Sequence, residues 1–236
     1  MTSWKSKAIE HANSDLSREV CGLVVIIKGR QKYWPCKNLA TDQDFFFLDP
    51  DDWAKAEDTG EVVGVFHSHP ITTCEPSQAD RVACEKSGIP WHIYSPHDGQ
   101  WSEIKPEGYK APLIGREWVW GVTDCWSLAR DWYAEVLGIN LRDWPRPPSM
   151  QTFSEDPMFD RCWSDTGFFE VPLEEIQHGD LVLMAIEHKR HNHIGVYLDH
   201  QTLLHHLRGR LSSRDVYGGY YLKSTGCVLR HSGRGS

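Results

Sequence analysis

The sequence predicts an α+β protein built from two domains. Three observations support this prediction. Short apolar runs of strand length alternate with helical periodicity in the first half, a segment rich in proline and glycine interrupts the pattern near residue 106, and further strand-like runs follow towards the C-terminus. The 236 residues are enough for two domains of ordinary size.

Composition excludes several classes of function. The hydrophobic fraction of 40% and the aromatic fraction of 11% exceed those of a disordered chain, so we expect a folded protein. The net charge of -8 contains no long run of one sign, which argues against a nucleic-acid partner. No stretch approaches the roughly 20 apolar residues of a membrane span. The first residues also lack the apolar core of a signal peptide, so we expect synthesis in the cytoplasm.

The first half of the chain, residues 1–106, predicts a small mixed sheet flanked by helices. Its apolar runs have the length of strands, and Asp51–Glu57 between the first two runs predicts a helix. A turn signal between the last two runs predicts a hairpin. The predicted strands are Cys21–Ile27, Val62–Phe66, Trp91–Tyr94 and Trp101–Ile104.

Residues 107–113 are predicted to link the two domains, because this region is rich in breakers and has no usable periodicity. The second domain, residues 114–236, has a predicted helix that begins beside Cys125. Three consecutive runs then predict antiparallel strands, and the residues from His231 onward predict a frayed tail. The runs are Leu181–Ile186, Ile194–Leu198 and Thr202–Leu207.

Two histidines and an aspartate have the spacing of a metal site. His67 and His69 follow a predicted strand, and side chains two positions apart on extended backbone project to the same side. A chain reversal before the next predicted helix could bring Asp80 in as the third ligand. Two nitrogens and one oxygen, with a fourth position left for water, is the pattern of catalytic rather than structural zinc.

With Glu19 and Ser77, these residues resemble the JAMM metallopeptidases, whose pattern is a distant Glu, then His-x-His, seven residues, Ser, two residues and Asp. The resemblance implies that His67, His69 and Asp80 bind zinc. It also implies that Glu19 is the general acid/base and that Ser77 steadies the oxyanion. Members of this family hydrolyse amide or isopeptide bonds. The alternatives are two polar histidines at a strand end, or a metal-free interaction domain.

A second constellation centres on Cys125. The seven cysteines include no Cys-x-x-Cys pair, which predicts reduced thiols. Cys125 lies where a helix is predicted to begin, a position that favours the thiolate. A histidine held by a third polar group would be its base, and His193 and His205 on neighbouring predicted strands fit these roles. His191 and His206 remain alternatives, as does a buried structural role for Cys125.

Four short motifs surround these residues: Trp118-Val119-Trp120-Gly121, Thr123-Asp124-Cys125, Gly179-Asp180-Leu181-Val182 and His193-Ile194-Gly195-Val196-Tyr197. They resemble the NlpC-type papain-like cysteine peptidases, many of which cut the stem peptides of bacterial cell wall. The resemblance implies that Cys125 is the nucleophile, His193 the base and His205 the orienting residue. Two departures bear on substrate preference, since Trp118 stands where the family often has tyrosine and Trp126 where it has a small residue.

The domain order, JAMM followed by NlpC-type, resembles the tail-tip proteins of lambda-like siphophages. The resemblance implies a virion tail-tip protein that is made in the host cytoplasm and acts at the host periplasm and cell wall. Its implied partners are peptidoglycan stem peptides and other phage tail-tip proteins, and its implied cofactor is Zn²⁺. The alternatives are a tail assembly factor that binds or processes tail proteins, and a cellular envelope endopeptidase.

Overall fold

Two separate sheets organise the chain, one in each half. The computed structural model describes residues 3–41, 45–147, 152–153 and 158–234. The chain divides into Met1–Lys110 and Ala111–Ser236, which we call the N-terminal and the C-terminal unit. None of the helices in the described residues is long and apolar enough to span a membrane.

A five-stranded mixed sheet forms the centre of the N-terminal unit. Its elements along the chain are α1 (Trp4–Ala12), β1 (Cys21–Ile27), β2 (Arg30–Cys36), α2 (Pro50–Thr59), β3 (Glu61–Ser68), α3 (Gln78–Ser87), β4 (Trp91–Tyr94) and β5 (Trp101–Ile104). The strand order is β2-β1-β3-β4-β5, with β3 and β4 parallel and the other neighbours antiparallel. All four predicted strands and the predicted helix are present.

Both faces of this sheet are covered. Successive residues on β3 point to opposite sides, so neighbouring residues pack in different cores. Val65 packs in a core that includes Ala56 of α2, whereas Phe66 packs in a second core that includes Ala8 of α1. Strands covered on both faces are apolar along their length rather than alternating. This explains the continuous aliphatic run in β1 and holds the end of β3 rigidly at the centre of the sheet.

The sequence pattern does not predict β2, because most of its residues are polar or aromatic. It is an edge strand whose first three residues are exposed, and an edge tolerates Pro35 because no neighbour needs its missing N–H. Lys28 and Gly29 join it to β1, with φ values of 51° and 73°. Such a two-residue turn matches the twist of paired antiparallel strands, so β2 forms through pairing with β1.

A six-stranded antiparallel sheet forms the centre of the C-terminal unit. Its described helices and strands are α4 (Cys125–Trp132), α5 (Met158–Cys162), β6 (Phe168–Val171), β7 (Leu181–Met184), β8 (His193–Leu198), β9 (Thr202–His205), β10 (Ser213–Val216), α6 (Gly219–Lys223) and β11 (Thr225–His231). The strand order is β10-β9-β8-β7-β11-β6. The three consecutive strands predicted from the sequence are β7, β8 and β9, and they pair antiparallel as expected.

The expectation of a frayed tail is wrong for residues 231–234. His231 ends β11 and pairs with Phe168 of β6. Arg234 forms an ion pair with Asp180, whose side chain is fully buried and also accepts hydrogen bonds from Arg230. A buried carboxylate needs such cationic partners, and these partners come from the segment that looks featureless in sequence.

Candidate active sites

His67 and His69 lie where the central strand of the N-terminal unit ends. His67 is opposite Cys21 of β1 and Ile93 of β4, so strands flank it on both sides. The extended backbone continues beyond β3, because the amide of His69 donates to the carbonyl of Tyr94 at 2.9 Å. The two imidazoles therefore project to the same side of the sheet.

Asp80 is brought to the histidines by the first turn of α3. Ser77 is the N-cap of this helix, and the amide of Asp80 donates to Ser77 Oγ at 3.1 Å. In return, the amide and the hydroxyl of Ser77 donate to Asp80 Oδ2 at 2.7 and 2.8 Å. This reciprocal capping box fixes the direction of the carboxylate. It also engages the Ser77 hydroxyl, which must rotate away from Asp80 before it can contact an oxyanion.

The predicted metal-site residues form one buried cluster. His67 Nε2 lies 3.1 Å from Asp80 Oδ1, and His69 Nε2 lies 3.4 Å from Asp80 Oδ2. The two Nε2 atoms are 3.1 Å apart, and all three candidate ligand atoms lie within 4.8 Å of one another. Glu19 Oε1 lies 3.8 Å from His69 Nε2, next to the three ligands.

The proton positions in this cluster fit a bound cation. His69 Nδ1 must donate to the carbonyl oxygen of Thr73, 2.9 Å away, because a carbonyl only accepts. In a neutral ring this leaves the Nε2 lone pair facing Asp80 Oδ2. Two acceptors that face each other require a proton or a cation between them, and a backbone carbonyl behind a histidine is the usual support of a metal ligand.

The charges in the cluster lead to the same conclusion. Burial raises the pKa of Asp80, but its contacts with His67 and His69 outweigh burial and hold the pKa well below its usual range. Burial lowers the pKa of His69, but the Asp80 hydrogen bond and the charges of Asp80 and Glu19 outweigh this and raise it. The carboxylate is therefore ionised and attracts positive charge, which makes the residues compatible with a divalent metal ion.

Cys125 occupies the first turn of α4, where a buried ion pair holds the backbone. The N-cap Asp124 accepts from the amides of Ser127 and Gly121 at 2.9 and 3.0 Å. Arg146 Nε and Nη2 donate to the same carboxylate at 2.9 and 3.0 Å, and both partners are buried. A helix cap with a buried guanidinium behind it positions Cys125 more firmly than a solvent-exposed cap could.

A histidine pair stands on the two strands next to this helix. β8 and β9 pair so that Gly195 is opposite His205, and His193 Nε2 lies 3.0 Å from His205 Nδ1. On the far side of this pair, His205 Nε2 lies 3.2 Å from Asp215 Oδ2 of β10, at ion-pair distance but without hydrogen-bond alignment. The described side chains thus form a row from His193 through His205 to Asp215.

Cys125 and His193 both line a cavity of about 390 Å³. Its walls combine aromatic rings with charged side chains, which suits a peptide-like ligand. The other lining residues are Trp118, Trp120, Ile186, Glu187, Asn192, His206, Leu207, Arg208, Arg210 and Tyr220. The nucleophile predicted from the sequence and the histidine predicted as its base therefore face the same space.

The thiol of Cys125 departs from the sequence expectation of a thiolate favoured by the helix N-terminus. Burial, followed by the neighbouring charge of Asp124, raises its pKa to about 12. Burial, together with His205 and His206, lowers the pKa of His193 well below its usual value. The thiol and the imidazole are therefore both neutral near pH 7, and the imidazole is able to accept a proton.

The alternative histidines are engaged elsewhere. His191 Nδ1 contacts the carboxylate of Asp160 on α5. His206 Nε2 donates to the carbonyl of Arg210 at 3.1 Å, although this ring also lines the cavity. Trp126 is buried and stacks on Trp144 at 4.8 Å between ring centroids, and it is not among the residues that line the cavity.

Sequence reasoning missed three residues that support the cysteine site. Asp124 could have been found, because Asp-x-x-Ser at the start of a predicted helix is a capping signal. Arg146 and Asp215 carry no such signal. Each lies in a polar stretch of ordinary composition, and only the fold brings it to its partner.

Comparison with known proteins agrees with the division of the chain. Residues 1–106 match the family described as prokaryotic homologs of the JAB domain, and residues 115–230 match the NlpC/P60 family. The predicted fold class is confirmed: an α+β chain with a JAB-like N-terminal domain and an NlpC/P60 C-terminal domain.

Two relatives match along most of their length. Tail tip assembly protein K of Escherichia phage N15 is 39% identical over 225 residues, which cover 94% of this chain and 91% of the relative. Tail tip assembly protein K of Escherichia phage lambda is 33% identical over 184 residues, 78% of this chain and 89% of the relative. Among solved structures, a protein from Desulfitobacterium hafniense is 24% identical with a TM-score of 0.35, covering 43% of this chain and 86% of that one.

Proposed function

The chain belongs to the family of phage tail tip assembly protein K, and from this we propose that it is a peptide-bond hydrolase of the virion tail tip. It is made in the host cytoplasm and opens the host cell wall from the periplasm during entry. The cysteine site cleaves stem peptides of peptidoglycan, and the zinc site hydrolyses an amide or isopeptide bond. The observation that carries the proposal is the pairing of His205 with His193, which lines the same cavity as Cys125.

In the cysteine site, Cys125 is the nucleophile and His193 the base. Because His193 Nε2 is engaged with His205, its Nδ1 is the atom left to take the thiol proton. The sulfur then attacks the scissile carbonyl carbon, and His193 passes the proton to the leaving amine as the C–N bond breaks. Water, deprotonated by His193, hydrolyses the thioester and restores the thiol. His205 holds the imidazole of His193 in place throughout.

At the site proposed for zinc, His67, His69 and Asp80 would hold the ion. Zinc bound there would supply Lewis-acid polarisation of the scissile carbonyl and of the attacking water. Glu19, 3.8 Å from His69 Nε2, moves a proton from that water to the leaving amine. Ser77 steadies the oxyanion once its hydroxyl turns from Asp80.

Release of soluble peptides from purified peptidoglycan tests the cysteine assignment. We expect Cys125→Ala to reduce release at least about 1,000-fold, because no other group replaces the nucleophile. Cys162→Ala is the matched control and should retain wild-type activity, since Cys162 is not among the cavity-lining residues. His67→Ala should leave the masses of the Cys125-dependent products unchanged. Undiminished release by Cys125→Ala would falsify the assignment.

The names of the relatives favour a second candidate, a tail assembly factor that binds or processes tail proteins with little wall-degrading activity. The two functions can be separated in a phage that carries Cys125→Ala or Asp80→Asn. Complete tails that adsorb but fail to infect support hydrolysis during entry. Absent or malformed tails in electron micrographs of the lysate support a role in assembly.

A further inference from the structure

The row of histidines in the C-terminal unit continues to a carboxylate that the sequence pattern does not reveal. Asp215 lies on β10, next to β9, and its Oδ2 is 3.2 Å from His205 Nε2. His205 is 1% exposed, so no bulk water reaches its ring to set the proton position. The position of that proton therefore depends on the groups that touch the two nitrogens of His205.

Those groups determine the tautomer of each ring. A carboxylate beside His205 Nε2 favours the proton on that atom, because a lone pair there would face negative charge. His205 Nδ1 is then an acceptor, and the partner that it faces among the described residues is His193 Nε2, 3.0 Å away. His193 must donate this bond from Nε2, which leaves the lone pair of Nδ1 as the site for an incoming proton.

The carboxylate itself is held by a set of donors. Tyr221 Oη donates to Asp215 Oδ2 at 3.0 Å and Ser213 Oγ donates to Oδ1 at 2.9 Å. Arg210, which lines the cavity, lies 3.1 Å from Oδ2. Burial raises the pKa of Asp215, but its contacts with His205, Ser213 and Tyr221 outweigh burial and hold the pKa well below its usual range. Asp215 is therefore ionised at neutral pH. It carries no proton that it could donate to His205, so His205 carries the proton in this contact.

We propose that Asp215 is a positioning residue of the cysteine site, whose carboxylate fixes the tautomer of His205 and through it the basic nitrogen of His193. This inference rests on the proposed role of His193 as the base for Cys125. Asp215 touches neither the substrate nor the thiol. Without its charge, His205 can carry its proton on Nδ1 and donate to His193 Nε2, so that the proton of His193 moves to Nδ1 and blocks the base.

Among the described residues, few titratable or charged groups face the rings of His193 and His205. His193 faces His205 and His206, and it lines the same cavity as Cys125. His205 faces Asp215 on β10, Arg210 in the loop before it, and the ring of Tyr221 on α6, 4.7 Å between centroids. Asp215 is the single carboxylate among these partners. Replacing Asp215 by Asn therefore removes the negative charge from this row.

The experiment measures the rate at which iodoacetamide alkylates Cys125 between pH 5 and 10, with site identification by mass spectrometry, alongside kcat/KM on purified peptidoglycan. Asp215→Asn keeps the size of the side chain but offers an amide that tolerates either tautomer of His205. We expect alkylation at pH 7 and kcat/KM to fall about 10- to 100-fold, and the alkylation profile to shift to higher pH. The His193→Gln variant lacks the base, so its alkylation rate is the reference for a thiol that no base assists.

Two further variants separate positioning from support of the fold. Asp199→Asn removes another histidine–carboxylate contact of 3.2 Å, between Asp199 and His178, which is more exposed and lies outside the histidine row, and this variant should match wild type in both assays. Asp215→Glu retains the carboxylate and should recover part of the rate and the wild-type pH profile.

Three results decide the outcome. An Asp215→Asn profile that coincides with that of wild type overturns the inference. A uniform loss at every pH, with a lower melting temperature and no recovery in Asp215→Glu, also overturns it, since that is the behaviour of a structural residue. If wild type releases no peptide from peptidoglycan but Asp215→Asn still shifts the alkylation profile, the wall-hydrolase proposal fails and the positioning role stands.

Discussion

The carbonyl oxygen of Thr73 decides which nitrogen of His69 faces Asp80. This contact belongs to the seven-residue loop between His69 and Ser77, whose composition gives no hint of a supporting role. The loop is itself tied down, because Ser95 Oγ donates to the carbonyl of Thr72 at 2.8 Å. At the scale of residues, the orientation of His69 in the candidate metal cluster thus depends on a backbone carbonyl as well as on the side chains that the spacing reveals.

Asp80→Asn should abolish stoichiometric zinc in protein prepared without chelator, as measured by plasma mass spectrometry. The substitution removes one of three ligands and the only full negative charge among them, so we expect affinity to fall by more than about 100-fold, beyond the loss usual for a supporting residue.

Asp52→Asn is the matched control for that measurement. Asp52 occupies the third position of α2, as Asp80 does in α3, and it accepts from the amide of Lys37 rather than facing histidines. Zinc content should be that of wild type in this variant. Zinc retained at full stoichiometry in Asp80→Asn would contradict the assignment of Asp80 as a ligand.

At the scale of elements, α4 depends on a contact from outside the helix. Its N-cap Asp124 is fully buried and would be costly without Arg146, which comes from a loop 22 residues later in the chain. The carboxylate satisfies the first-turn amides, and the guanidinium satisfies the carboxylate. The placement of the thiol at the start of α4 is therefore a property of the helix and the loop together.

Asp124→Ala should destabilise the C-terminal unit by about 3 to 5 kcal/mol, because it leaves the Arg146 guanidinium buried and unpaired. The measurement is the free energy of unfolding from urea titrations followed by circular dichroism. Asp49→Ala removes the N-cap of α2, whose side chain accepts from the amide of Asp51 and faces no buried guanidinium among the described residues, and should cost about 1 kcal/mol.

The double variant Asp124→Ala/Arg146→Ala distinguishes the ion pair from the cap. Its loss in the free energy of unfolding should be smaller than the sum of the losses in the two single variants. In the double variant, neither charge is left buried without its partner. Strict additivity would mean that the two side chains act independently and that the buried pair is not the cause.

At the scale of the whole molecule, each unit carries its own core and one complete candidate site. Cys21, Leu23 and Val65 belong to a core inside Met1–Lys110, whereas Val182 and Leu203 belong to a core inside Ala111–Ser236. The candidate metal cluster of His67, His69 and Asp80 lies wholly within the first unit, and the row from His193 through His205 to Asp215 lies wholly within the second.

Residues 1–110 and 111–236, produced separately, should each fold and keep the chemistry of their own site. We expect the first fragment to bind zinc within about threefold of the affinity of the full chain, because units with separate cores fold independently. The second fragment should alkylate at Cys125 at the rate of the full chain. Calorimetric titration with zinc and the alkylation assay provide the measurements. A fragment that folds but loses its chemistry would show that the site needs the other unit.

The strands with strong apolar patterns were predictable from the sequence, whereas β2, β6, β10 and β11 were not. Val62–Phe66 lies inside β3, and Trp91–Tyr94 coincides with β4, because burial on both faces demands apolar residues at successive positions. β2 and β10 are edges of their sheets, where one side needs no partner and polar residues are tolerated. Their strand conformation comes from pairing with a neighbour, which local composition does not encode.

By itself, the sequence predicted the kinds of domain and the side chains proposed to carry the chemistry of each site. Local rules were sufficient there, because His67 and His69 share a side through strand periodicity, and Asp80 follows Ser77 at the spacing of a capping box. The tertiary structure alone decided the state of those groups. Burial makes the Cys125 thiol neutral where its helix position suggested a thiolate, and Asp215 reaches the histidine row only through the pairing of β9 with β10. Solvent exclusion and contacts between distant segments set proton positions, and neither is written in the order of neighbouring residues.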